Sequence, residues 1–215
     1  MEYWLNLIAK FNGKEEFEAL CRQLHCQRNI DILYALIEEL YGEPRRYYHN
    51  LRHILFCLVV LESFKVLADD LSIVKMAIWF HDIKTTEDDS ASIMRGCLKS
   101  ALVNEAIVNR ISELIIDTKH PCQPTTNDGQ LIHDIDLIGL AEPWESAKII
   151  GERVRLERQN ISDQDFFERR LAFLKKLLQQ PIFAHEHFKQ FEELTRANLE
   201  REVQEIKIRL DKLAD

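Results

Sequence analysis

Five prolines, at positions 44, 121, 124, 143 and 181, fall between stretches in which apolar residues recur every three or four positions. That spacing lines up apolar side chains on one face of an α-helix. Prolines confined to the gaps leave the helical hydrogen-bond ladders intact. No alternating run of β-branched residues competes for a sheet, and six glycines are few for a fold of tight turns. The expected class is all-α, with helices at roughly 2–11, 14–24, 29–40, 47–66, 71–82, 89–103, 105–119, 130–141, 144–157, 163–179 and 186–213. The 215 residues can bury a sizeable core, and one helical domain over 1–215 is expected. The stretch from Pro121 to Asp128 is the longest expected loop.

A formal net charge of -8 disfavours broad electrostatic binding to extended nucleic acid. A small phosphorylated ligand stays compatible, because a metal and a few local cations override the global field. The five cysteines, at 21, 26, 57, 97 and 122, are odd in number, and Cys57 within the apolar run Ile54 to Leu61 reads as a buried reduced thiol. That run is far short of a membrane span. Met1-Glu2-Tyr3-Trp4 lacks the basic start of a secretory leader, so a cytoplasmic location is expected. In the last helix Leu199, Val203, Ile206, Leu210 and Leu213 form a narrow seam, which either packs back on the bundle or joins two copies as a homodimer.

Three segments combine metal-ligating side chains with predicted helices: Tyr48-His49-Asn50-Leu51-Arg52-His53-Ile54, Phe80-His81-Asp82-Ile83 and His133-Asp134-Ile135-Asp136-Leu137. Imidazoles suit Mn, Fe, Co, Ni and Zn, carboxylates also suit Mg, and helices can hold such ligands facing inward. A helix over 47–66 would place His49, His53, Cys57 and Val60 on one face. His81 and Asp82, about 100° apart on a helix, reach one ion only over the groove between them. Asp136 shares a stripe with Ile132 and Leu140, whereas Asp134 lies roughly 200° away, so Asp136 is expected inside and Asp134 outside. Each piece alone also fits a bland reading as a core histidine or a polar helix end.

In order, however, a His, a His-Asp pair and an Asp on separate helices resemble the HD-domain superfamily of metal-dependent phosphohydrolases. Within it the chain is similar to a widespread bacterial subgroup of predicted phosphohydrolases. The matching pieces are Arg46 to Ile54, Ala77 to Asp82, Ile116-Asp117-Thr118-Lys119-His120 and Asp134 to Gly139, with weaker likeness through Glu168-Arg169-Arg170, Leu177 to Phe183 and Arg196 to Leu199. This covers about residues 30–203. The resemblance implies an HD-type helical bundle and a divalent ion (Mn, Mg, Fe, Co, Ni or Zn) on His53, His81, Asp82 and Asp136. It also implies hydrolysis of a phosphate ester or anhydride, with nucleotides the best-supported substrates. A metal- and nucleotide-binding sensor without turnover is the alternative. An oxygen-using di-iron enzyme, with His120 and His133 as extra ligands, is a third.

In one respect the chain departs from the subgroup: only Ile83 to Thr86 separate the His-Asp pair from Glu87-Asp88-Asp89-Ser90. Asp82, Glu87 and Asp88 are the candidate proton acceptors, although Glu87 and Asp88 also suit a helix N-terminus as such. Candidate substrate-binding residues are His49, Arg52, Lys84, Lys119 and His120. His49 and His120 fit structural roles equally well, and His120 also fits a second metal. Arg45 and Arg46 read as solvated, and His185-Glu186-His187 as an exposed helix start. Cys21, His25 and Cys26 lack a fourth ligand for zinc.

Overall fold

The computed structural model describes residues 8–121 and 123–214, so Cys122 and most of the helix expected over 2–11 lie outside the described residues. Among those described, ten α-helices and no strand are found. They are α1 (Gly13–Gln23), α2 (Ile30–Tyr41), α3 (Leu51–Phe64), α4 (Leu71–Phe80), α5 (Glu87–Ser100), α6 (Glu105–Asp117), α7 (Asn127–Leu137), α8 (Trp144–Glu157), α9 (Asp163–Leu178) and α10 (Glu192–Ala214). No helix of the described residues is long and apolar enough to cross a membrane.

Capping side chains decide where most of these helices begin. Asn12, Asn50, Asp70, Thr86, Asn104, Thr126 and Ser162 each accept a hydrogen bond from a backbone N–H of the following first turn, which satisfies donors that have no partner within the helix. The cap at Asn50 corrects one expectation. Its extended backbone (φ -118°, ψ 178°) starts α3 at Leu51, so His49 sits in the preceding turn and not on the helical face of His53 and Cys57.

Helix α4 is the hub. Ile73, Val74 and every residue from Met76 to Phe80 are buried, because the helix packs against α1, α3, α5, α6 and α7 together. A helix enclosed on all sides must be apolar all round, and LSIVKMAIWF nearly is. Phe17 and Tyr34 meet the Trp79 ring edge-on at 5.4 and 6.1 Å.

The C-terminal helices form a layer over the turn Ile138–Ala141, against which α8 and α10 pack. Leu199, Val203 and Ile206 of the seam are buried within the chain, whereas Leu213 is exposed. The helix expected over 186–213 divides: Glu186–Phe191 is a 3-10 turn, and α10 starts at Glu192. The Glu192 carboxylate accepts from the N–H groups of Ile182 and Phe183, and the buried His185 side chain caps the 3-10 turn. His185 is therefore not the exposed residue expected; only Glu186 and His187 are exposed.

Candidate metal centre and adjoining cavity

Three elements deliver the four expected ligands to one place. His53 projects from the first turn of α3, His81 and Asp82 follow the last residue of α4, and Asp136 lies near the end of α7. One donor atom from each of the four lies within 4.8 Å of the others, and both imidazoles are buried. His53 Nε2 is 3.0 Å from Asp136 Oδ1 and 3.2 Å from Asp82 Oδ2; His81 Nε2 is 3.4 and 3.2 Å from the same two oxygens. His81 keeps helical backbone angles (φ -59°, ψ -37°) just past the last residue of α4, and its Nε2 still comes within 3.2 Å of Asp82 Oδ2.

The donor set fits a cation. His81 Nδ1 lies 2.9 Å from the Ile78 carbonyl, which only accepts, so Nδ1 carries a proton. In the neutral ring Nε2 then presents a lone pair to two carboxylates that also present lone pairs. A backbone carbonyl behind a ring nitrogen is the usual support of a metal-ligating histidine. Asp82 Oδ2, buried and aimed into the cluster, has no hydrogen-bond donor. A divalent ion resolves both features at once.

Charge in the cluster is tightly linked. Burial acts most strongly on Asp82 and Asp136 and would raise their pKa values, but the surrounding imidazoles outweigh it and hold both carboxyls well below the usual range. Burial likewise opposes protonation of His53 and His81, yet their anionic neighbours push both well above the ordinary value. Asp136 serves two sides, since its second oxygen lies 3.0 Å from His120 Nε2.

Asp134 is the clearest correction on this helix. Expected outside, it is fully buried: its carboxylate accepts from the N–H groups of Ala184 (2.9 Å) and His185 (2.7 Å) and lies 2.9 Å from His133 Nδ1. A helix with partners on two faces can turn Asp134 and Asp136 both inward, each toward its own donors. The His133 ring in turn meets His120 edge-on at 4.6 Å.

Arg46 is also not the solvated residue expected. It donates from Nη1 to the carbonyls of His49 (2.8 Å) and Asp82 (2.7 Å) and from Nη2 to that of Ile83 (2.7 Å). It thereby ties the His-Asp corner to the turn before α3. Ser90 steadies the same corner by accepting from Lys84 N at 3.0 Å.

A cavity of about 360 Å³ opens beside the cluster, with Asp82, Asp136, His49, Lys84, Glu87 and His120 on its walls. Asp88 and Lys119 are not among its lining residues; they pair with each other at 3.0 Å on the surface. Arg52 borders a different, mostly apolar cavity of about 140 Å³ that also touches His53 and Phe56. Arg45, Lys84 and Arg158 line the larger cavity, and none of their side chains makes an ion pair or hydrogen bond with a described residue.

Sequence reasoning missed Glu43, Glu157, Arg158 and Phe173 on these walls. Glu157 is the most consequential. It accepts from the N–H groups of Tyr48 (2.7 Å) and His49 (2.9 Å) and meets His49 Nδ1 at 2.5 Å. Burial would raise its pKa, but His49 and the two amides hold it lowered. One signal was present: an anion as the last residue of a helix opposes the helix dipole and wants a partner elsewhere. No protein-family model, no curated protein and no solved structure matches this chain.

Proposed function

We propose that the chain is an HD-type metal-dependent phosphohydrolase that cleaves a phosphate ester or anhydride of a small metabolite, with nucleotides the preferred class. The carrying observation is the convergence of one donor atom each from His53, His81, Asp82 and Asp136 within 4.8 Å of one another, beside a cavity edged by three cations that have no partner among the described residues. His53, His81, Asp82 and Asp136 would hold a divalent ion. When bound, such an ion acidifies water toward neutral pH and neutralises charge on a phosphoryl oxygen.

The chain's own side chains account for the rest. Arg45, Lys84 and Arg158 bind the anionic groups of the substrate and oppose the charge that builds in the transition state. Glu87, half-buried on the cavity wall at the start of α5, accepts the proton of the attacking water. Asp88, paired with Lys119 outside, is the weaker candidate for that task. His49 and His120 contact the phosphoryl group from the remaining sides.

The test combines metal analysis with a nucleotide panel in Mn, Mg, Co, Ni or Fe. About one ion per chain and release of phosphate or pyrophosphate are expected, both lost in Asp82→Ala. Metal and nucleotide binding without release would replace the hydrolase reading with the sensor reading, and absence of metal would sink both.

A further inference from the structure

Glu157 stands out among the cavity carboxylates that lie outside the metal cluster because its side chain is almost fully enclosed. Its side chain is 8% exposed, and all three of its hydrogen-bond partners belong to the two-residue stretch Tyr48-His49, more than a hundred positions earlier in the chain. A carboxylate can only accept, so His49 Nδ1 must be the donor in the 2.5 Å contact. The ring is thereby pinned in one orientation, and Nε2 is its only nitrogen left uncommitted. His49 is a third exposed and lines the same cavity as Asp82 and Lys84, and its ring meets the His53 ring edge-on at 6.0 Å. Because Asn50 starts α3 after it, His49 is not held by a helix, and Glu157 supplies the constraint that the helix does not.

We propose that Glu157 is a positioning residue: from the end of α8 it fixes His49 so that Nε2 shares one proton with a phosphoryl oxygen of the bound substrate. The proposal rests on the hydrolase reading above and adds the residue, on the far side of the sequence, through which His49 acts. A carboxylate behind an imidazole sets ring orientation and tautomer in this way in many sites. Glu157→Gln changes little in shape but replaces one accepting oxygen with an NH2 group, which cannot accept from Nδ1 or from the two amides.

The experiment uses the full chain loaded with Mn, inorganic phosphate as the probe, and calorimetry as the readout, with metal content and melting temperature measured on every variant. His49→Ala should weaken phosphate binding roughly tenfold or more, and Glu157→Gln several-fold, as expected for hydrogen bonds to a charged group. Metal content should not change. The decisive arm is the double variant: Glu157→Gln should cost nothing further once His49 is Ala, because it acts through that ring. Should Glu157→Gln not fold, Glu157→Asp keeps the charge, shortens the reach and should weaken phosphate in the same His49-dependent way.

In the metal-free wild type, nitrogen-15 spectra should show His49 protonated at Nδ1, with that signal changed in Glu157→Gln. Unaltered phosphate affinity in the Glu157 variants, a fully additive double variant, or an unprotonated Nδ1 would each overturn the positioning role while leaving the hydrolase reading in place. Wild-type protein that holds Mn but neither binds phosphate nor releases it from nucleotides would overturn the hydrolase reading, and this proposal with it.

Discussion

Helices α4 and α8 each deliver a carboxylate to the cavity at their C-terminal ends. Asp82 comes two residues after the end of one, and Glu157 is the last residue of the other. The two helices are anchored very differently. In α4 seven of ten residues are buried, whereas in α8 only Ala147 is, with Ile149 and Leu156 more than 40% exposed. Two of the four candidate metal ligands, His81 and Asp82, thus hang from an element enclosed on every side, and the cavity-lining Glu157 and Arg158 from the end of one that opens at lower cost. Rigid support suits metal coordination, which tolerates little displacement of its ligands. Helix α8 can shift at lower cost, because few buried side chains would have to leave their contacts.

The difference between the helices can be broken by mutation. Trp79→Ala in α4 should cost about 3–5 kcal/mol, the range for a large buried aromatic. Leu156→Ala in α8 should stay within about 0.5 kcal/mol. Urea unfolding of both measures the contrast, and similar losses would show that α8 is as firmly anchored as α4. Arg46→Lys, next in size, should cost about 2 kcal/mol, since an ammonium cannot span the three carbonyls that the guanidinium ties together. It should also lower metal affinity by about tenfold or more, as outer-sphere changes do. Full retention of affinity would show that the His-Asp corner holds its shape without the strap.

The effect of Glu157 is read through pH. Its folded-state pKa is lowered, so the stability it contributes is present above the unfolded value of about 4.3 and is lost as pH falls through the folded value. The difference in unfolding free energy between wild type and Glu157→Gln should therefore persist at neutral pH and shrink below about pH 4. A gap that does not change with pH would mean that the carboxylate charge contributes nothing to holding α8.

Much of this molecule was legible in linear form. The three-and-four spacing placed nine of the ten helices to within a few residues, because a period in the sequence becomes a face in space. Two of the ends that moved most, at Asn50 and Glu192, were moved by single polar side chains, Asn50 through a cap and Glu192 through two amides. The helix expected to reach 141 ends at Leu137 and gives way to the 3-10 turn Ile138–Ala141. Four side chains of two types in a familiar order were enough to name His53, His81, Asp82 and Asp136 as a group.

What the chain settled by itself was the helical class, through local periodicity, and the identity of the four candidate ligands, through the order in which His and Asp side chains occur. Whether a carboxylate or guanidinium is solvated is not a local property. Asp134 found Ala184 and His185, Arg46 found the carbonyls of Asp82 and Ile83, and Glu157 found Tyr48 and His49. Each partner lies tens of residues away, most of them backbone groups that every sequence carries and none advertises. Only packing determines which polar groups lose water, and a group that loses water must take whatever donor or acceptor the fold brings to it.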